Sequence, residues 1–154
     1  MAALKSLLLA IDLATGQRDQ ARAQMQRTMQ ADAFAQGQMQ QLKQYAQETE
    51  QRWMQGAQIS TSPEMLQHHY QFMARLNQAI LLQDGVISGT RQRVDAAKQV
   101  VLQAEFRLAS FKQVLAGRQA ALAKTQQRRE QKQMDEFASL QTQRQQRLQT
   151  EHQS

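Results

Sequence analysis

The sequence predicts an all-α fold: a long antiparallel two-helix coiled-coil hairpin in which helix 2 extends past helix 1. Three observations lead to this fold class. The 154-residue chain is dominated by Gln, Ala, Leu, Arg, Lys, Glu and Met, which fill long helices and coiled coils. Strong helix-breaking signals occur in only one segment, GAQISTSPEM at residues 56–65. A heptad repeat of apolar residues follows that segment. We expect residues 1–154 to form a single coiled-coil domain.

Helix 1 is expected from about residue 3 to residue 56. Its apolar residues follow a loose heptad pattern, interrupted by Arg18 and Asp32. Because charged residues stand at these two positions, we expect this helix to pack less tightly. The pattern consists of Leu4, Leu7, Ile11, Ala14, Ala21, Met25, Ala35, Met39, Leu42, Ala46 and Trp53.

A turn is expected at residues 57–62. Gly56 can end helix 1, because glycine readily adopts the left-handed conformation that closes helices. Ser62 can cap helix 2, with Pro63 at its first position and Glu64 at its positive end. So short a connection makes the helices antiparallel, and residue x of helix 1 then faces roughly residue 121 − x of helix 2.

Helix 2 is expected from about residue 63 to residue 148, and its repeat is sustained over many heptads. The first stripe consists of Leu66, Met73, Ile80, Ile87, Val94, Val101, Leu108, Leu115 and Leu122. A weaker second stripe consists of His69, Leu76, Gln83, Thr90, Ala97, Ala104, Phe111 and Arg118. The repeat stops after Leu122, which is where the predicted register leaves helix 2 without a partner helix.

The C-terminal segment, residues 124–154, is therefore expected to be unpaired. Met134, Phe137 and Leu140 lie along one side of it. An unpaired amphipathic helix is marginally stable in water, so these residues should dock on another protein, or the segment frays. Four basic residues precede them and could steer docking toward acidic groups: Lys124, Arg128, Arg129 and Lys132.

The composition limits the other classes of function. The chain has no Cys, which excludes disulfides and thiolate metal sites and fits a reducing compartment. The net charge of +6 permits an acidic partner, nucleic acid or an anionic membrane surface. Because the basic residues are spread along the whole chain, we interpret them as a solvated helix surface and expect no nucleic-acid partner.

No transmembrane segment is expected, because no apolar run approaches the roughly 20 residues that cross a bilayer. The segment LKSLLLAIDLA at residues 4–14 is short and contains Asp12, so we interpret it as helix rather than as a signal peptide. We expect a cytoplasmic protein.

No catalytic constellation is present, so neither an enzyme nor a cofactor is expected. The sequence has no Gly-rich phosphate loop and no nucleophile with a base at plausible spacing. His68 and His69 are adjacent, which puts their rings about 100° apart on a helix. Helical zinc sites use i, i+3 or i, i+4 spacing, so no metal site is expected.

Three segments carry a resemblance to a known family. KQMDEFASLQTQR at residues 132–144 resembles the C-terminal QKKMDEFAQ signature of the flagellar type III export protein family FliJ. QMQQLKQY at residues 38–45 and YQFMARLNQAI at residues 70–80 are similar to that family's segments before and after the turn.

The resemblance implies a stalk and adaptor of the flagellar export apparatus, associated peripherally with the inner membrane at the flagellar base. Such proteins insert the end that carries both termini into the hexameric ring of the export ATPase. They also contact the cytoplasmic domain of the transmembrane export gate FlhA and escort export chaperones.

The resemblance also implies two sets of binding residues. Met134, Asp135, Glu136 and Phe137 fall in the ATPase-facing end, with Leu140 and the four basic residues beside them. The gate-facing set is Gln38, Leu42, Tyr45, Phe72, Leu76 and Ala79. Leu42 and Leu76 also occupy seam positions, so burial in the coiled coil explains them equally well.

Three alternatives remain open at this stage. The first is the equivalent stalk of a virulence injectisome type III secretion system. The second is a basic coiled coil that binds nucleic acid, which a steep salt dependence of binding would favour. The third is a purely structural coiled-coil oligomer with no ATPase partner.

Overall fold

Two long α-helices make up the protein, as the sequence predicts. The computed structural model describes residues 2–153, in which helix α1 spans Ala2–Ile59 and helix α2 spans Pro63–Gln153. The helices pack against each other, and the described residues contain no β-strand. The prediction of an all-α helical hairpin is therefore confirmed. The described chain divides into two compact units: residues 13–107, and residues 2–12 with 108–153.

The connection between α1 and α2 begins later than the sequence predicts. α1 continues through Gly56 to Ile59, and the Ser60 amide donates to the Gly56 carbonyl at 3.1 Å. No glycine in the described residues has a positive φ, so Gly56 does not close the helix in the left-handed conformation. The expected end at residue 56 is therefore wrong, because this i, i−4 hydrogen bond carries the helix past the glycine.

The start of α2 follows the sequence-based expectation. The Ser62 hydroxyl accepts a hydrogen bond from the Met65 amide at 3.2 Å, which is the geometry of an N-cap. Pro63 occupies the first helical position and Glu64 the first turn. α2 then continues to Gln153 rather than to about residue 148, because residues 149–153 contain neither Gly nor Pro to end it.

In the unit formed by residues 13–107, the two helices meet along a narrow seam with the predicted register. Ala35, Met39 and Ile87 form a buried cluster against which Ile80 packs. The side chains of Asp32 and Thr90 are hydrogen-bonded, so these two residues face each other. Their position numbers add up to 122, which agrees with the sum of roughly 121 that the predicted register requires for facing residues. All buried residues of this unit occupy predicted seam positions, and they are Ala14, Ala21, Ala35, Met39, Leu76, Ile87, Thr90, Ala97 and Val101.

Polar groups interrupt that seam near its centre. The Thr90 hydroxyl, which is buried, donates to the Asp32 carboxylate at 2.7 Å. The other carboxylate oxygen of Asp32 accepts from the Gln36 amide at 2.8 Å. The Gln83 amide donates to the Ala35 carbonyl at 2.8 Å. Asp32 and Gln83 therefore occupy seam positions without leaving a buried polar side-chain atom unpaired in residues 2–153.

In the unit formed by residues 2–12 and 108–153, α1 covers only the first part of this stretch of α2. The Arg118 guanidinium donates to the Ala3 carbonyl at 3.3 Å, and Leu108 is buried. Every residue from 116 to 153 is exposed. Helix α2 thus extends past α1 here, as predicted, and Leu122, the last residue of the first stripe, is 59% exposed.

Candidate partner-binding surfaces

The first candidate surface is the hairpin-tip cluster, which comprises the six residues of the gate-facing set. Tyr45 and Phe72 bring the two helices together at this point, with ring centroids 6.0 Å apart and an edge-to-face angle of 77°. Tyr45 is 49% exposed and Phe72 is 38% exposed. A partner could therefore contact both rings without any rearrangement of the hairpin.

The other members of the hairpin-tip cluster differ in accessibility. Leu76 is only 8% exposed and belongs to the seam, whereas Leu42 and Ala79 are half-buried. Gln38 is exposed, and its side-chain oxygen accepts from the Gln83 amide at 3.3 Å. The structure thus brings all six residues to one region. It leaves Tyr45, Phe72 and Gln38 as the members most available to a partner.

A second aromatic contact near the connection was not anticipated from the sequence. The Trp53 ring stacks on the His69 ring, with centroids 4.4 Å apart and an interplanar angle of 6°. The predicted register placed Trp53 opposite residues 68 and 69, and this proximity was the only indication of the contact in the sequence. No group of three or more His, Cys, Asp or Glu residues able to hold a metal ion was found in residues 2–153.

The second candidate surface is the tail, which we define as residues 124–153. Its apolar trio, Met134, Phe137 and Leu140, is 63% to 68% exposed. The tail is helical throughout, although nothing in the described chain packs on it. The apolar trio is thus presented on an uncovered helix, where a partner could bury it.

The polar residues of the tail extend the set that the sequence indicated. Asp135 accepts a hydrogen bond from the Gln131 amide at 3.2 Å, and Glu136 is exposed. The upstream basic residues Lys124, Arg128, Arg129 and Lys132 are also exposed. Arg144 and Arg147 line an open surface hollow together with Phe137 and Leu140. These two arginines were missed from the sequence, although spacings of four and seven residues from Leu140 place them on its side of the helix.

None of the described helices is long and apolar enough to cross a membrane.

The seam, its register and the uncovered helix end define the class of protein: an antiparallel two-helix coiled coil with exposed apolar clusters. The chain matches the family model described as "Flagellar FliJ protein" over residues 3–147, which is nearly its whole length. It therefore belongs to the FliJ family. No curated protein and no solved structure gave a significant match. Membership of this family makes the chain a component of the flagellar export apparatus.

Proposed function

We propose that this protein is the non-enzymatic stalk and adaptor of the flagellar export ATPase. In this role the tail docks in the hexameric ATPase ring, and the hairpin-tip cluster contacts the cytoplasmic domain of the export gate FlhA. The protein also escorts export chaperones and works in the cytoplasm, at the inner membrane beneath the flagellum. The observation that carries the proposal is an exposed apolar trio in the tail of a chain that matches the FliJ family.

The energetics of the tail support docking by its apolar trio. An isolated helix gains little stability from its backbone alone, and burial of an apolar face supplies most of the rest. Burying a side chain such as Phe, Leu or Met contributes about 1.5–3 kcal/mol. A ring that covers Met134, Phe137 and Leu140 would thus stabilise both the complex and the helix. The exposed lysines and arginines beside the trio would raise the association rate with an acidic ring.

The proposed docking role is tested with Phe137→Ala and Leu140→Ala. Each should weaken binding to the purified export ATPase by about 2 kcal/mol, or roughly 30-fold in Kd, and reduce stimulation of ATP hydrolysis. The melting temperature should change little, because both side chains are more than 60% exposed and lie beyond the part of α2 that α1 covers. Leu81→Ala is the matched control, since Leu81 is 72% exposed but lies outside the tail. Normal stimulation by the Phe137→Ala protein would refute docking through the tail.

Charge reversal separates the steering role from the docking role. Arg128→Glu combined with Arg129→Glu should slow association with the ATPase, most strongly at low salt, and change the dissociation rate much less. Rates measured by surface plasmon resonance at several salt concentrations would show this. A change confined to the dissociation rate would show that these arginines are direct contacts rather than steering charges.

The proposed contact with the export gate is tested at the hairpin-tip cluster. Tyr45→Ala and Phe72→Ala should each weaken binding to the FlhA cytoplasmic domain and leave the helical content unchanged. Tyr70→Ala is the matched control, because Tyr70 is 68% exposed and lies two residues from Phe72 on a different side of α2. Equal losses in all three variants would mean that the Tyr45–Phe72 pair does not define the binding surface.

A further inference from the structure

The unit formed by residues 13–107 has two unlike sides. On one side, Arg22 forms a salt bridge with Glu105 at 2.9 Å, and Lys43, Asp84 and Arg91 line an open groove. The other side is marked by the Tyr45–Phe72 ring contact. Helical spacing continues the row of Phe72 along α2 through residues that are almost all apolar or small. This second side has no partner in the described chain.

We call this second side the arginine-flanked face and define it by Phe34, Leu82, Val86, Gly89, Ala96 and Val100. The α2 members follow the spacing of three and four residues that keeps side chains on one side of a helix. The seam register places Phe34 of α1 at the level of Val86. The four large residues, Phe34, Leu82, Val86 and Val100, are 50% to 69% exposed. Exposed apolar side chains grouped along one side of a helix are typical of interaction sites.

The charges beside residues 82–100 of the arginine-flanked face have the same sign. Arg93 lies within the α2 row, and Arg27 lies at the same level on α1. Arg75 lies before the start of the row, at the level of the acidic residue Glu48 of α1, which accepts a hydrogen bond from Gln44. None of these three arginines has an ion-pair partner in residues 2–153, and Arg27 donates only to the Gln24 amide oxygen. The acidic residue of α1 in this region, Asp32, is bonded to Thr90 in the seam. Asp84 and Asp95 of α2 point away by helical spacing. The face therefore lacks its own counter-charges.

The shape of the face distinguishes among possible occupants. Gly89 and Ala96 stand on either side of Arg93, between Val86 and Val100, so the row has room beside its larger side chains, as in the holes that receive the knobs of a packed helix. A second copy of this chain would bring the same unpaired arginines opposite each other. A helix that inserts in a membrane surface would present a wider row of bulky side chains instead of glycine and alanine.

We propose that the arginine-flanked face binds one amphipathic helix of a partner protein, whose apolar stripe is flanked by Asp and Glu. The partner helix completes a three-helix packing layer along residues 82–100. Its carboxylates pair with Arg27 and Arg93. This site is separate from the tail and extends beyond the hairpin-tip cluster, so it does not depend on the roles proposed for those surfaces.

The test uses Gly89→Leu, which fills the gap on the face. A Cβ at Gly89 would meet nothing within 4 Å, and leucine favours helix more than glycine, so the hairpin should melt at the same temperature or higher. Gly117→Leu is the matched control. Its Cβ is equally free and it also belongs to α2, but Gly117 lies 17 residues beyond Val100, the last residue of the face.

The probes are two synthetic amphipathic helices with the same Leu and Ala stripe, one flanked by Glu and the other by Lys. Titration of the full chain, followed by fluorescence anisotropy, should show that the Glu-flanked helix binds at least tenfold more tightly than the Lys-flanked helix. Gly89→Leu should weaken binding of the Glu-flanked helix at least tenfold, whereas Gly117→Leu should not. Phe34→Ala should weaken it several-fold, and Arg93→Gln should reduce its salt dependence.

Four results would overturn the proposal. Equal effects of Gly89→Leu and Gly117→Leu would show that the face is not the binding site. Equal affinity for the two probes would show that the arginines do not select an acidic partner helix. A dimer in sedimentation equilibrium that Gly89→Leu disrupts would identify the occupant as a second copy. Co-sedimentation with phosphatidylserine vesicles that Gly89→Leu abolishes would identify it as a membrane surface.

Discussion

Substitution of Thr90 by valine tests the polar interruption of the seam. The change removes the hydroxyl that donates to Asp32 at 2.7 Å and keeps the shape of the side chain. The hydroxyl carries one proton and also lies 2.9 Å from the Ile87 carbonyl, but the shorter contact to the charged acceptor is the stronger one. Hydrogen bonds to charged groups contribute about 1.5–3 kcal/mol. The valine methyl group offsets about 0.8 kcal/mol of that loss.

The expected net effect of Thr90→Val is a loss of about 1–2 kcal/mol in the free energy of unfolding. Asp32→Leu should act in the opposite direction. The Thr90 hydroxyl then keeps the Ile87 carbonyl as an acceptor, a half-buried leucine adds apolar burial, and leucine favours helix more than aspartate. Asp32→Leu is therefore expected to stabilise the hairpin by about 1 kcal/mol.

Thermal denaturation followed by far-UV circular dichroism measures both changes. Thr90→Val should lower the melting temperature by roughly 4–8 °C, and Asp32→Leu should raise it by a few degrees. The double variant should be at least as stable as the original chain, because no carboxylate then remains in the seam without its donor. If Asp32→Leu proves more destabilising than Thr90→Val, the polar pair is a net source of stability and the reasoning is refuted.

Three further predictions concern the same unit. Ile87→Asp puts an unpaired charge in the buried cluster and should lower the free energy of unfolding by several kcal/mol. Ser88→Asp, at the next position along the helix, should have only a small effect. Equal melting temperatures of the two variants would show the register to be wrong. Gly37→Ala should stabilise α1 by about 0.5–1 kcal/mol in chemical denaturation, since a Cβ there meets nothing within 4 Å, and a loss of stability would reveal a contact absent from the structure. Glu105→Gln should lower the free energy of unfolding by less than about 1 kcal/mol, because both side chains of its salt bridge with Arg22 are exposed to water. A larger loss would mean that the pair is shielded from water.

The helices and their register were predictable because a heptad repeat depends on local spacing alone. Ile87, Val101 and Leu108 are buried where the repeat placed them. Helix ends depend on single hydrogen bonds, such as that from the Ser60 amide to the Gly56 carbonyl, and the sequence does not encode those as a pattern. The end of α1 was therefore placed three residues too early. The single-domain organisation of residues 1–154 remains a prediction.

The candidate surfaces divide in the same way. The exposure of Phe137 followed from the point at which the repeat stops, since no partner helix covers the positions beyond it. The register placed Trp53 opposite residues 68 and 69, but its stacking on His69 and the bond between Asp32 and Thr90 depend on side-chain rotamers, which the heptad pattern does not encode. Charged residues at seam positions suggested only looser packing. In the structure Asp32 is instead held by two donors.

Pro63 has a consequence for how many chains share one hairpin. Two-helix hairpins with short connections can open at the connection and exchange helices, forming a swapped dimer of continuous helices. In such a dimer Pro63 would lie inside a helix, where its ring clashes with the carbonyl of Ile59 and its missing N–H removes a hydrogen bond. This costs about 3 kcal/mol per chain, or roughly 6 kcal/mol per swapped dimer. The proline that starts α2 therefore also keeps each hairpin folded back on its own chain.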